Sequence, residues 1–174
     1  MINEYLYKRF EEETISKVNR FKISKKDLND LKKSFKNKIV LISGAAGSIG
    51  SQFSKDIFKY DFKIKKIIFL DKDENMLTEL NRELLLFKNF KKINREFVCS
   101  DLSSIDIGDI LLKNKVQFYL NFAAIKHVRS EENIQSIKYM FKTNSINFVP
   151  KKFTNLKKIF SISTDKTVNP SSIL

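Results

Sequence analysis

From Lys38 onward, short apolar runs alternate with stretches whose apolar residues recur at helical spacing. The runs at 39–43, 66–70, 97–100, 118–122 and 158–163 predict strands, rich in Ile, Leu, Val and Phe. Between them, 48–60 carries Ile49, Phe53 and Ile57 on one helical face. The segment 73–87 does the same with Met76, Leu77, Leu80, Leu84 and Phe87. A short helix is expected over 105–113. A longer one over 131–148 ends near Pro150, which cannot supply a backbone N–H. Strand and helix alternating in this way predict an α/β fold, a Rossmann-like doubly wound parallel sheet. Residues 1–37 are polar and charged with scattered Phe, Leu and Ile, and are read as an N-terminal helical extension of one or two helices. Ser24 is placed to start the second, because its hydroxyl can accept from a free N–H. The Rossmann-like α/β domain then covers 38–174.

The chemistry is concentrated in LISGAAGSIG, residues 41–50, which holds three of the four glycines of the chain. Gly44, Gly47 and Gly50 follow the first strand and open the first helix. A loop there can turn tightly, approach a pyrophosphate and offer it the unpaired N–H groups of a helix start. The spacing is G-x-x-G-x-x-G, not the G-x-G-x-x-G of the common dehydrogenase fingerprint. Asp71 closes the second strand 21 residues after Gly50, where an acid binds the adenosine ribose. Strand, glycine loop, helix and acid in register are much more specific than the glycines alone.

Composition changes this picture little. Of 174 residues, 42% are apolar and 16 are Phe, which is globular. The net charge of +13 comes mostly from Lys spread among Asn, Ile and Phe. It reads as a compositional bias, and no nucleic-acid partner is expected. Cys99 is the single cysteine, so no intramolecular disulfide forms. No apolar run nears the ~20 residues of a membrane span, and MINEYLYKRFEEE lacks the order of a signal peptide. A cytoplasmic location is expected.

Three segments resemble the CapD-type polysaccharide biosynthesis proteins, nucleotide-sugar 4,6-dehydratases and epimerases of the extended short-chain dehydrogenase/reductase superfamily. They are SGAAGSIGS at 43–51, NFAAIKHV at 121–128 and SISTDKTVNP at 161–170. The last two are similar to the family's AA-x-KHV and STDKAVNP stretches, and the resemblance covers about residues 22–174. It implies a UDP-sugar substrate, typically UDP-N-acetylglucosamine, with NADP or NAD as cofactor. Gly44, Gly47, Ser48, Ile49 and Gly50 would cradle the pyrophosphate, and Asp71 would meet the ribose. A carboxylate there generally favours NAD, and Lys72 beside it could soften the preference. Asp101 and Leu102 would lie along the adenine. Ala123 and Ala124 would let the cofactor come close, and Lys126 and Asn144 would line its site. His127, the only histidine, reads more simply as structural.

Thr164, Asp165 and Lys166 are the catalytic residues the resemblance implies. The reaction needs a hydroxyl on the sugar O4, a base for C5 and an acid for the leaving hydroxyl. Thr164 suits the first role, and Asp165 with Lys166 the acid/base pair. No metal is called for. The sequence also departs from the family. Leu174 stands where relatives carry Tyr or Met before a Gly and a Lys, and no Gly-Thr pair follows Asn144. The sequence as read therefore holds the cofactor half and stops inside the catalytic motif. Little turnover is expected of it, and an exposed sheet edge would leave it dependent on a partner, a homo-oligomer included. Two alternatives stay open: an inactive remnant or nucleotide-binding scaffold, and a basic nucleic-acid-associated protein.

Overall fold

The computed structural model describes residues 8–9, 22–125, 133–146 and 155–163. Five strands form one wholly parallel sheet: β1 (Ile39–Ser43), β2 (Lys66–Asp71), β3 (Asn94–Cys99), β4 (Phe118–Asn121) and β5 (Lys158–Ser161). Their order is β3-β2-β1-β4-β5. The helices are α1 (Lys25–Phe35), α2 (Ser48–Lys59), α3 (Glu74–Leu85), α4 (Ile107–Asn114) and α5 (Ile134–Phe141). The chain runs outward from β1 to β3, then returns to the other side of β1 for β4. The connections therefore diverge between β1 and β4, and a crevice opens at the carboxyl ends of these strands.

Alternate residues of each central strand feed two cores. Val40, Ile42, Ile67, Phe69, Phe118 and Leu120 face the core that Ile57, Phe58, Leu77, Leu80 and Leu84 of α2 and α3 complete. Leu41, Ile68, Leu70 and Tyr119 face the opposite core with Ile107 and Leu111 of α4. This burial on both faces is why the strands read as continuous apolar runs.

Ser24 caps α1, its Oγ accepting from the Asp27 N–H at 3.0 Å. α1 ends on Phe35, which is buried against Phe62 and Phe118 at ring-centroid distances of 5.3 Å each. The extension thus supplies a core residue and does not merely lie on the surface.

Several sequence expectations need correction. Met76 lies off the inner face of α3 and is 49% exposed, because Leu77, Leu80 and Leu84 already define the buried stripe. Ile49 likewise leaves the inner face of α2: it stands 57% exposed in the first turn. β3 starts three residues earlier than expected. Lys66 pairs with Asn94, and the Lys66 ammonium reaches Glu96 at 2.7 Å, so a polar start is held by cross-strand pairing. Among the described residues of the helix expected over 131–148, Ile134–Phe141 are α-helical and Lys142–Ile146 widen into a π turn.

Candidate functional site: a cleft over the glycine loop

The crevice is a cleft of about 180 Å³ at the carboxyl ends of β1, β2, β3 and β4. Gly44 and Gly47 line it from the first loop, Asp71 and Lys72 from the second, and Asp101 and Leu102 from the third. Ala123, Ala124 and Ile125 follow β4, and Tyr139 and Thr143 come from the α5 region.

The loop's shape depends on the absence of side chains at two glycines. Gly44 has φ +67°, and a Cβ there would fall 2.5 Å from the Ala123 nitrogen. A Cβ on Gly50 would fall 2.0 Å from the Gly44 carbonyl oxygen. These two glycines let the loop fold onto itself and onto the strand-four exit. A Cβ on Gly47 would meet only the Gly44 oxygen, at 3.4 Å, and Gly47 is exposed.

The loop amides divide into two sets. The Ala45 N–H donates to the Leu70 carbonyl at 3.1 Å, Ala46 to the Asp71 carboxylate at 2.9 Å and Gly47 to the Gly44 carbonyl at 3.2 Å. These bonds fix the loop on β2. Gly47 then caps α2 with no side-chain bond, so the start of that helix at Ser48, Ile49 and Gly50 has no side-chain cap. Unpaired N–H groups at the positive end of a helix dipole bind anions.

Asp71 is fixed by the same contacts. One carboxylate oxygen accepts from Ala46, and the other accepts from the Asp73 N–H at 3.2 Å. The acid therefore stands beside the glycine loop, with lone pairs left for a second ligand.

Asn121, which opens the NFAAIKHV segment but is not among the site residues expected from it, ties the floor together. Its carbonyl accepts from the Ser43 hydroxyl at 2.6 Å and the Ala123 N–H at 3.2 Å, and its amide donates to the Ser161 hydroxyl at 3.1 Å. Ser43 also bonds the Tyr119 hydroxyl at 3.1 Å, and burial pushes that phenol far above its ordinary range. Asn144 holds the rim: its amide accepts from the Ile125 N–H at 2.8 Å and donates to the Ile125 carbonyl at 2.9 Å. Both polar ends are thus engaged with the segment after β4.

Tyr139 is the second residue the sequence reading missed. Its hydroxyl donates to Asp101 at 2.7 Å and accepts from the Lys72 ammonium at 3.3 Å. Partial burial and the Asp101 bond raise the Tyr139 pKa. Partial burial opposes ionisation of Asp101, yet Tyr139, Ser103 and the Lys72 charge outweigh it and lower its pKa. The separations of 38 and 67 residues explain why sequence spacing is blind to this cluster.

The residues present fit a dinucleotide. The helix start is uncapped, a carboxylate stands beside it, and the small residues Ala123 and Ala124 line the cleft. The buried Thr143, also in the lining, has an Oγ1 with no partner among the described residues. Lys126, His127, Thr164, Asp165 and Lys166 lie outside the described residues. Among the described residues no group of three His, Cys, Asp or Glu side chains could hold a metal ion. No described helix is long and apolar enough to cross a membrane.

Comparison with known proteins agrees with this architecture. Capsular polysaccharide biosynthesis protein CapD of Staphylococcus aureus is 29% identical over 161 residues, 85% of this chain and 25% of that protein. UDP-N-acetylglucosamine 4,6-dehydratase (inverting) of Campylobacter jejuni is 28% identical over 143 residues, 80% and 40% of the two chains. An uncharacterized membrane protein of Methanocaldococcus jannaschii is 33% identical over 158 residues, 83% and 41%. The chain thus spans between 25% and 41% of the length of these relatives. Among solved structures, dTDP-glucose 4,6-dehydratase of Bacillus anthracis in complex with NAD superposes with a TM-score of 0.52 at 25% identity, covering 74% of this chain and 38% of that one. The family model described as polysaccharide biosynthesis protein matches residues 40–174, most of the chain, and the chain belongs to that family.

Proposed function

We propose that this chain is the dinucleotide-binding part of a UDP-sugar 4,6-dehydratase or epimerase, acting on UDP-N-acetylglucosamine for surface polysaccharide synthesis. The observation that carries the reading is the bond from the Ala46 N–H to Asp71. It sets a ribose-binding carboxylate directly beside an uncapped helix start. Similarity to a UDP-N-acetylglucosamine 4,6-dehydratase supports the substrate class, and similarity to an NAD-bound dehydratase supports the cofactor.

In this reading Ser48, Ile49 and Gly50 donate their N–H groups to the pyrophosphate. Asp71 accepts from the ribose hydroxyls, and Asp101 and Leu102 flank the adenine. Ala123 and Ala124 leave room beside the nicotinamide half, and Asn144 keeps the strand-four exit in place through Ile125. Lys126, two residues after Ala124 in the sequence, is assigned to the cofactor site by the family resemblance alone. A bound nicotinamide would supply reversible acceptance of the hydride at the sugar C4. Thr164 holds the sugar O4. Asp165 and Lys166 remove the C5 proton and protonate the hydroxyl that leaves C6. The exposed free thiol of Cys99 accords with a reducing compartment, and the cytoplasm is the location proposed.

Calorimetry with NAD and NADP tests the binding. At least one should bind, and Asp71→Ala should weaken it about tenfold, as expected for a lost charged hydrogen bond. Absence of binding to both overturns the reading. Conversion of UDP-N-acetylglucosamine, followed by loss of substrate and appearance of a 4-keto sugar, tests the substrate. This assay belongs on the longest natural form of the protein, since the relatives extend well beyond this chain.

A further inference from the structure

Lys72, Tyr139 and Asp101 form one side-chain cluster in the lining of the cleft. Lys72 directly follows the ribose carboxylate, where a cation could neutralise a phosphate on the ribose 2′ oxygen. In the structure its ammonium is engaged by Tyr139. It stands 3.3 Å from the Tyr139 hydroxyl and 5.4 Å from the centroid of the Tyr139 ring. That hydroxyl is in turn bonded to the Asp101 carboxylate at 2.7 Å. Cation, ring face and the Asp101 carboxylate form one chain of favourable contacts that engages the Lys72 ammonium. What remains beside the ribose position is acidic. Asp71 accepts the Asp73 N–H at 3.2 Å, and Asp73 itself caps α3 with its carboxylate. A 2′-phosphate would meet the Asp71 carboxylate there, whereas a 2′-hydroxyl could donate to Asp71.

We propose that Tyr139 is a specificity-determining residue that engages the Lys72 ammonium, so that the cleft selects a dinucleotide with a free 2′-hydroxyl over its 2′-phosphorylated counterpart. The proposal rests on the dinucleotide reading above and names the cofactor class within it. It assigns the discrimination to a pair of elements, α5 and the β2 exit, and not to Asp71 alone.

The experiment is calorimetry with NAD and NADP on the full chain carrying Tyr139→Ala, Lys72→Ala, both together, or Tyr139→Phe. The unaltered chain should prefer NAD by about tenfold, the scale of one charged hydrogen bond. Tyr139→Ala should tighten NADP relative to NAD by about threefold, the scale of one exposed ion pair. That gain should vanish when Lys72→Ala is added. Tyr139→Phe keeps the ring under the ammonium but removes the hydroxyl, and should give a smaller gain in the same direction. It also serves as the variant least able to disturb folding. An NADP affinity relative to NAD unmoved by both Tyr139 substitutions, or a gain that survives loss of Lys72, overturns the proposal while NAD binding stands. Failure of the unaltered chain to bind either dinucleotide removes the dinucleotide reading and this proposal with it.

Discussion

β1 and β5 belong to the same sheet with only β4 between them, yet their surroundings differ sharply. Val40, Leu41, Ile42 and Ser43 of β1 are fully buried, paired on both sides and covered on both faces. All four residues of β5 are exposed, Phe160 by 51% and Ile159 by 41%. The side of the sheet that presents the glycine loop is therefore enclosed, while the side that leads toward Thr164 is open. A dinucleotide cradle needs fixed backbone, because its donors are amides and its clearances are fractions of an ångström. The enclosed half supplies that rigidity. The open edge has apolar residues still facing water, which invites another layer of protein.

The largest expected effect comes from filling the loop. Gly44→Ala or Gly50→Ala should cost about 3 kcal/mol and abolish dinucleotide binding, since each new Cβ meets backbone that cannot give way. Phe160→Ala on the open edge should cost about 1 kcal/mol or less. Urea midpoints of the three variants check the pair. A Phe160→Ala loss as large as that of the glycine variants would mean that β5 is covered in solution, and the contrast would fail.

Asn121 joins the two halves, and its removal should have an intermediate effect. Asn121→Ala leaves the buried Ser43 hydroxyl without one of its partners and frees Ser161 and the Ala123 amide. A loss of about 2 kcal/mol in urea unfolding is expected, the cost of unsatisfied buried polar groups. An effect no larger than that of Phe160→Ala would show that the halves are held by strand pairing alone.

The smallest effect is electrostatic. Partial burial resists the Asp101 charge, but the Tyr139 and Ser103 bonds and Lys72 prevail, so its pKa is lowered on folding. A lowered acid stabilises the fold above the unfolded pKa, about 3.9, and that contribution fades as pH falls through the folded value. Acid unfolding followed between pH 5 and 2 should begin at higher pH in Tyr139→Phe than in the unaltered chain. Identical acid transitions would remove Tyr139 from the list of groups that hold the Asp101 charge.

Much of the enclosed half was legible in the sequence, for a definite reason. Strands buried on both faces must be apolar throughout, so β1, β2 and β4 stood out as runs. The glycine loop and Asp71 were legible because a backbone cradle leaves its mark as missing side chains at fixed spacing. β3 was read short because Asn94, Arg95 and Glu96 are polar. Their strand geometry comes from pairing with Lys66, Ile67 and Ile68, which no local pattern encodes.

The sequence by itself determined the alternation of strand and helix, the position of the glycine loop, the acid that follows it and the family. Each of these is written in near-neighbour spacing or in a contiguous motif. Only the tertiary structure decided where Lys72 points, what Tyr139 does, and that Asn121 and Asn144 bind the floor and rim of the cleft. Those roles arise from side-chain hydrogen bonds between residues 19 to 78 positions apart. Such contacts exist only once the sheet has brought distant segments within about 3 Å of one another, the reach of a hydrogen bond.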